Sequence, residues 1–311
     1  MGAFLYILII LLDLLALVVI LGFPMFRKNR KQAVVFFSVI AAVFLVLAVF
    51  DIFIAAAFSA LVVGFTFVFE VIRRGFKIKS KVYTDILSFG LAVALSVSYF
   101  AYSVYVASNL EVTKYDFDVG SELKIVQISD IHYGKYGTEA KLKEIVDMAN
   151  AQNPDLVVLT GDIFDEYTEY GKMVQGCKVL GELSAKYGVF YVFGNHDGTI
   201  KMLGDYTRNS DKMEEMVTAL NNNNITVLRD QAMLLGNDFV IVGRLDRSFA
   251  SRKTIDEILS DSNIFNVNRK VIVIDHQPSD YDSVVESDAN ICLNISGHTH
   301  GGQMFPINVL Y

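Results

Sequence analysis

The chain lacks several features that would assign it to a particular class of protein. Its 311 residues include two cysteines, Cys177 and Cys292. Two are too few for a disulfide framework, and they show no metal-ligand spacing. We expect buried free thiols, with a single bridge as the alternative. No internal repeat, low-complexity stretch or Gly/Ser-rich linker occurs, and no histidine precedes residue 132. Histidine chemistry is therefore confined to residues 132–311.

Positive charge is scarce in the second part of the chain. Residues 1–108 carry nine Lys/Arg and four Asp/Glu, whereas residues 109–311 carry 18 Lys/Arg against 30 Asp/Glu, a formal net charge of −12. Proteins that bind nucleic acid generally present a basic face. We therefore expect no nucleic-acid partner.

Long apolar runs fill the first third of the chain. A helix needs about 20 apolar residues to cross a bilayer. We predict four transmembrane helices, at about 3–23, 33–50, 52–72 and 85–107. The run 33–69 is interrupted only by Asp51 and is too long for one span, so we interpret it as a helical hairpin with Asp51 near the turn. Span one has no basic segment before it and no small-residue cleavage site, so it does not resemble a signal peptide.

Basic loops indicate the orientation of these helices. Four Lys/Arg residues lie between spans one and two, and five lie between spans three and four. The positive-inside rule places both loops in the cytoplasm. We therefore predict an integral membrane protein whose domain after residue 108 is extracytoplasmic. If residues 33–72 cross only once, the two loops fall on opposite sides and the rule is violated.

The rest of the chain alternates between two kinds of segment. After a polar connector at 109–122, apolar runs typical of strands alternate with segments of helical periodicity. Strands are predicted at 123–129, 155–160, 189–193, 225–228, 232–235, 239–242, 271–275 and 291–295, and helices at 138–152, 170–186, 212–222, 254–260 and 281–286. This alternation predicts an α/β domain with helices covering a sheet.

All five histidines lie in short polar motifs that follow apolar, strand-like runs. The motifs are Asp130-Ile131-His132, Gly161-Asp162-Ile163-Phe164-Asp165, Gly194-Asn195-His196-Asp197, Asp275-His276 and Gly297-His298-Thr299-His300-Gly301-Gly302. Ligands gather at the carboxyl ends of strands in open α/β sheets. Mixed nitrogen and oxygen ligands suit Mn, Fe, Zn or Ni without choosing among them. The motifs therefore predict a site for two divalent metal ions.

This ordered set of motifs resembles the calcineurin-like metallophosphoesterase superfamily over residues 123–306. The Gly-His-Thr-His-Gly-Gly-Gln and Asp-His-Gln-Pro segments are similar to those of its bacterial membrane-associated branch. The resemblance implies a two-sheet sandwich flanked by helices, here preceded by the transmembrane bundle. In the family further strands usually follow the last histidine pair, so we expect the domain at 123–311 to be C-terminally incomplete.

The resemblance also implies a role for each motif residue. Asp130, His132 and His300 would bind the first metal, and Asn195, His276 and His298 the second, with Asp162 bridging both. His196 would not be a ligand but would assist catalysis as proton donor or charge stabiliser, and Asp165 would orient His196.

Other acidic residues were open to more than one interpretation. Asp197 is either a functional group or the cap of a following turn. Asp275 suits a solvated strand end better than a ligand position, and the acidic run from Asp162 to Glu169 suits a solvated loop better than a substrate-recognition segment.

The expected activity follows from these roles. Two metals can clamp a phosphoryl group and lower the pKa of a shared water, and the resulting hydroxide attacks phosphorus. We expect a membrane-anchored phosphoesterase acting on a phosphate ester or phosphodiester, with a phosphorylated small-molecule or lipid-linked substrate. The alternative is a membrane sensor or scaffold whose metal-bound domain binds a phosphorylated ligand without turnover.

Overall fold

The computed structural model describes residues 52–79, 82–134, 137–202, 205–249, 251–264, 269–277 and 281–300, together with Lys31, Val34 and Ser38, which are helical. The chain divides into two compact units, Met1–Glu111 and Val112–Tyr311. The predicted span 3–23, nearly all of the predicted span 33–50, and Asp51 lie outside the described residues.

Two helices of the first unit lie wholly within the described residues. They are α1 (Ile52–Gly75) and α2 (Val82–Ser108), which coincide with the predicted spans three and four. The rings of Phe58 and Phe100 pack edge to face with centroids 6.4 Å apart. Within the described residues one segment, Ile86–Val106, is long and apolar enough to cross a membrane. The predicted bundle of four spans is thus not confirmed.

The second unit alternates strands and helices close to the predicted positions. Its elements are β1 (Ile125–Ile128), α3 (Glu139–Asn150), β2 (Leu156–Thr160), α4 (Tyr170–Leu180), β3 (Val189–Val192), β4 (Thr199–Met202), β5 (Asp205–Arg208), α5 (Ser210–Asn221), β6 (Ile225–Val227), β7 (Gln231–Leu235), β8 (Phe239–Gly243), α6 (Ile255–Asp261), β9 (Lys270–Ile274), α7 (Tyr281–Val285) and β10 (Ile291–Ile295). The β4–β5 hairpin was not predicted.

The strands form two main sheets. The first has the order β1-β2-β3-β6 and is entirely parallel. The second has the order β10-β9-β8-β7, and only β7 runs antiparallel to its neighbour. Parallel sheets are normally covered on both faces, and the five residues of β2 are accordingly all buried.

Alternating side chains of β2 enter two different cores. Leu156 and Val158 belong to a cluster that also contains Ile241 and Ile272 of the second sheet, so this core lies between the sheets. Val157 and Leu159 face the opposite way, into a cluster with residues of α3, α4 and α5. A third cluster lies between the outer face of the second sheet and α6. The resulting α-β-β-α layering confirms the α/β two-sheet fold.

Local signals mark where several helices begin. The hydroxyl of Thr138 accepts a hydrogen bond from the backbone N–H of Lys141 and so caps the start of α3. Thr254 and Glu257 form a capping box at the start of α6. Such caps satisfy backbone N–H groups that have no partner within the helix.

Candidate metal centre

The first group of candidate ligands comes from the turns after β1 and β10. One potential ligand atom from each of Asp130, His132 and His300 lies within 4.8 Å of the other two. The rings of His132 and His300 are stacked at 5.1 Å. His300 Nε2 lies 3.7 Å from Asp130 Oδ1. The structure therefore brings together the three residues predicted for the first metal.

The second group lies at the ends of β2, β9 and β10. Potential ligand atoms of Asp162, His276 and His298 are also within 4.8 Å of one another. The side chain of Asn195 joins them, because its Oδ1 is 3.1 Å from His276 Nε2. This group contains the residues predicted for the second metal together with the predicted bridging carboxylate.

Asp162 lies between the two groups. Its Oδ2 is 3.2 Å from His276 Nε2 and 3.8 Å from His132 Nε2. Its Oδ1 accepts a hydrogen bond of 2.8 Å from the backbone N–H of His196. Burial raises the pKa of Asp162, but the hydrogen bond and charge of His276 outweigh burial and bring the pKa below its ordinary value. One oxygen of this carboxylate therefore faces both groups.

Ring nitrogens in the two groups suit metal coordination. His276 Nδ1 lies 2.8 Å from the carbonyl oxygen of Thr160. Donation of Nδ1–H to that carbonyl leaves Nε2 directed at Asp162 and Asn195, which is the usual arrangement behind a metal-bound histidine. His132 Nε2 is buried and has no hydrogen-bond partner within the described residues. Because buried polar atoms are normally satisfied, a divalent ion fits here.

The backbone at this centre is held in an uncommon conformation. Among the described residues, five candidate ligands have positive φ angles between 49° and 72°, namely Asp130, His132, Asp162, His298 and His300. A left-handed conformation at a non-glycine residue costs on the order of 1–3 kcal/mol and persists only where the surroundings enforce it. Interlocking turns provide that enforcement, since the N–H groups of Asp130 and His132 donate to the carbonyls of Gly161 and Asp162.

Glycine at 161 and 194 allows the turns after β2 and β3 to approach each other closely. Gly161 has φ of +83°, and a Cβ there would lie 2.5 Å from Gly194 N and 2.8 Å from His276 Nδ1. A Cβ at Gly194 would collide with the side chain of Asp162. Any side chain at either position would separate the strand ends that carry the ligands.

Asp197 fastens these same turns together. Its buried carboxylate accepts hydrogen bonds from the backbone N–H groups of Asp162, Phe164 and Gly194. Burial and the charge of Asp162 raise the pKa of Asp197 to about 7. Asp197 is therefore an anchor for backbone N–H groups. This role is closer to the turn-capping interpretation, but the turns that Asp197 holds precede it in the chain rather than follow it.

His196 lies beside the first group and is held by a carboxylate. Its Nδ1 is 2.9 Å from Glu166 Oε2, and the Glu166 side chain is only 5% exposed. The His196 and His132 rings pack edge to face at 5.1 Å. The hydrogen bond that His196 donates to Glu166 raises the pKa of His196, and burial only partly opposes this effect. A histidine held in this way can carry a proton next to the two ligand groups.

The carboxylate beside His196 is thus Glu166 rather than the predicted Asp165. Asp165 Oδ1 accepts hydrogen bonds from the Tyr167 N–H and the Thr168 hydroxyl, as in a turn-capping aspartate. Glu166 was not predicted, because it lies within an acidic run whose composition is typical of a solvated loop. The register of the turn after β2 decides which of the two neighbouring carboxylates is directed at the histidine.

The chain is similar in sequence to known proteins. The family model of the calcineurin-like phosphoesterases matches residues 123–302. A Danio rerio "transmembrane protein with metallophosphoesterase domain" is 30% identical over 198 residues, which are 60% of this chain and 42% of that protein. An uncharacterized metallophosphoesterase of Helicobacter pylori is 30% identical over 272 residues, which are 83% of this chain and 66% of that protein. The latter similarity extends beyond residues 123–311 into the N-terminal part.

The crystal structure of a phosphopantetheinyl hydrolase from Mycobacterium tuberculosis aligns over 57% of this chain and 77% of that chain, with a TM-score of 0.34 and 11% identity.

Proposed function

Since the chain belongs to the calcineurin-like phosphoesterase family and is therefore a metal-dependent phosphoester hydrolase, we propose that it uses two divalent metal ions while anchored in a membrane. The observation that carries the dinuclear proposal is the position of Asp162. A single carboxylate oxygen approaches a histidine of each ligand group, at 3.8 and 3.2 Å. A carboxylate in that position can contact two ions at once.

The residues divide into metal ligands and one proton carrier. Asp130, His132 and His300 would hold one ion and Asn195, His276 and His298 the other, with Asp162 shared. Bound ions would supply the Lewis acidity that polarises a phosphoryl oxygen and activates a water for attack. Because the set contains only two carboxylates, the loaded centre keeps a net positive charge, which favours an anionic phosphoester.

His196 would act on the departing group. The hydrogen bond with Glu166 raises the pKa of His196, so the imidazolium remains populated at a higher pH than for a free histidine. The imidazolium can donate a proton to the leaving-group oxygen or stabilise its negative charge. Glu166 then holds the ring by its other nitrogen.

A chromogenic assay tests the activity and the dinuclear centre. The detergent-purified chain would be given paired phosphate monoesters and diesters with Mn²⁺, with Zn²⁺ or with no added metal. We expect metal-dependent hydrolysis that is lost in Asp162→Asn and in His196→Ala but kept in the matched control Asp147→Asn on the exposed face of α3. Turnover that survives in Asp162→Asn would contradict the bridging role.

Membrane anchoring is supported by sequence and composition. The segment Ile86–Val106 has the length and apolarity of a span, and the zebrafish relative is described as a transmembrane protein. The basic loops favour an extracytoplasmic catalytic domain, and the short connector would keep that domain near the bilayer. A lipid-linked or otherwise membrane-proximal phosphoester is therefore the substrate class we propose.

The side of the membrane on which the catalytic domain lies and the class of its substrate can be tested separately. A cysteine introduced at Asp118 in a Cys292→Ser background should react with a membrane-impermeant maleimide in intact cells, and labelling only after permeabilisation would place the domain in the cytoplasm. Phosphoesters carried by liposomes should be hydrolysed faster than soluble analogues with the same leaving group. Equal rates would remove the support for a membrane-borne substrate.

A further inference from the structure

The tripeptide Asp275-His276-Gln277 is held from both sides by the loop that joins β8 to α6. We propose that a clamp, formed by the buried ion pair Arg252–Asp275 together with Asp246, positions His276 for the second metal ion. This inference rests on the proposed dinuclear centre. It concerns positioning residues, because none of the three belongs to the ligand groups.

The first contact of this clamp is the ion pair. Arg252 Nη1 lies 2.9 Å from each carboxylate oxygen of Asp275. The two side chains are only 7% and 3% exposed. The same Asp275 Oδ1 accepts a 2.7 Å hydrogen bond from the backbone N–H of His276. The sequence suggested a solvated strand end for Asp275, and its burial corrects that interpretation.

The second contact lies on the other side of His276. Gln277 Nε2 donates to Asp246 Oδ1 at 3.1 Å, and Asp246 is fully buried. The N–H of Ser248 donates to the same oxygen. The residues before and after His276 are thus both fastened to one loop, and this arrangement limits rotation of the peptide that carries the ring.

The loop itself is fixed at both ends. Asp230 accepts hydrogen bonds from the backbone N–H groups of Leu245 and Lys253, at 2.9 and 3.0 Å. The buried Arg244 donates from Nη2 to the carbonyl of Lys253 and from its backbone to the carbonyl of Ile274. These contacts join the loop to the end of β9 directly before the Asp275-His276 pair.

Burial of four charged side chains behind a single histidine suggests a geometric role. Buried ion pairs often add little net stability compared with apolar residues of similar size, so stability alone is a weak reason for Arg244, Arg252, Asp246 and Asp275 to be there. Residues behind a metal-bound histidine typically change metal affinity by about 10- to 100-fold when altered. The His276 ring is completely buried, so it depends on the surrounding protein for its orientation.

The test compares manganese loading of four forms of the full chain in detergent. Wild type is set beside Arg252→Lys, the charge-neutral double variant Arg252→Gln/Asp275→Asn, and the control Asp261→Asn. The control breaks an exposed ion pair, 2.7 Å long, between Lys253, which follows Arg252 in the chain, and Asp261 at the end of α6. Mn²⁺ titration with paramagnetic resonance separates a single bound ion from a spin-coupled pair, and circular dichroism verifies folding.

We expect wild type and Asp261→Asn to bind two coupled ions. The double variant should bind the first ion normally and the second about 10- to 100-fold more weakly. Arg252→Lys should lie in between, because lysine keeps the positive charge but replaces the planar guanidinium with a flexible ammonium group. A folded double variant that binds the coupled pair like wild type would refute the clamp, and so would equal weakening of both ions. If the double variant does not fold, the same two outcomes, measured on Arg252→Lys, decide whether the clamp exists. Wild type that binds fewer than two ions would instead overturn the dinuclear centre, and the clamp with it.

Discussion

Replacement of Glu166 by glutamine isolates the carboxylate that contacts His196. The change keeps the size of the side chain and removes its charge, so the 2.9 Å contact with Nδ1 loses its ionic character. A hydrogen bond to a charged group contributes roughly 1.5–3 kcal/mol. If that energy is used mainly in the transition state, kcat should fall by about 10- to 150-fold. KM should change little, because Glu166 belongs to neither ligand group.

The pH profile of kcat shows in which direction the Glu166→Gln substitution moves the pKa of His196. Glu166 raises the pKa of His196 above its ordinary value, so in wild type the protonated form persists to higher pH. In Glu166→Gln this support is lost, and the alkaline limb of the kcat profile should move to lower pH. The acidic limb, which reports metal-ligand protonation, should stay in place.

Two neighbouring substitutions serve as controls in the same assay. Glu169→Gln alters an exposed residue of the same acidic run and should leave kcat and both limbs unchanged. Asp165→Asn keeps an oxygen acceptor for the Tyr167 N–H and should leave the alkaline limb in place. If Asp165→Asn shifts that limb while Glu166→Gln does not, the assignment of Glu166 is wrong.

Two further predictions concern the metal-free fold. Gly161→Ala should lower the free energy of unfolding by about 2 kcal/mol or more, measured by urea denaturation, because its Cβ would lie 2.5 Å from Gly194 N at a φ of +83°. The matched Gly171→Ala in α4, where a Cβ meets nothing within 4 Å, should instead be neutral or stabilising. In protein freed of metal by a chelator, burial lowers the pKa of His276, but the hydrogen bond and charge of Asp162 raise it to about 9. The interaction of protonated His276 with Asp162 therefore stabilises the fold by roughly 3 kcal/mol. This contribution is complete below the unfolded pKa of about 6.5 and is lost as pH rises through about 9. Thermal melts of metal-free protein that show no loss between pH 6 and 10 would contradict the ion pair.

Several structural features were predictable because they depend on local pattern. Apart from β4 and β5, the strands of the second unit are short apolar runs in the sequence, and each lies within a few residues of its predicted position. The β4–β5 hairpin was missed because two four-residue strands contain too few alternating positions to establish a period of two. The four-span bundle stays a prediction, since its first two spans fall largely outside the described residues.

The sequence alone determined most of the residues that meet at the candidate centre. Asp130, Asp162 and Asn195 follow neighbouring parallel strands of the first sheet, and the carboxyl ends of such strands meet at one edge. His276 follows a strand of the second sheet, so its place at the centre was predicted by the family resemblance rather than by this rule. The left-handed backbone conformation of several candidate ligands could not be predicted from the sequence, because it depends on hydrogen bonds between turns that are remote in the chain.

Only the tertiary structure decided which carboxylates support the centre and how. Glu166, Asp197 and Asp275 are all acidic residues in or beside a motif, and sequence pattern does not distinguish a solvated carboxylate from a buried one. Folding places Glu166 against His196, Asp197 beneath three backbone N–H groups, and Asp275 against Arg252. These roles arise from burial and from partners that lie 3–35 residues away in the chain, so they appear only once the turns and the β8–α6 loop have packed together.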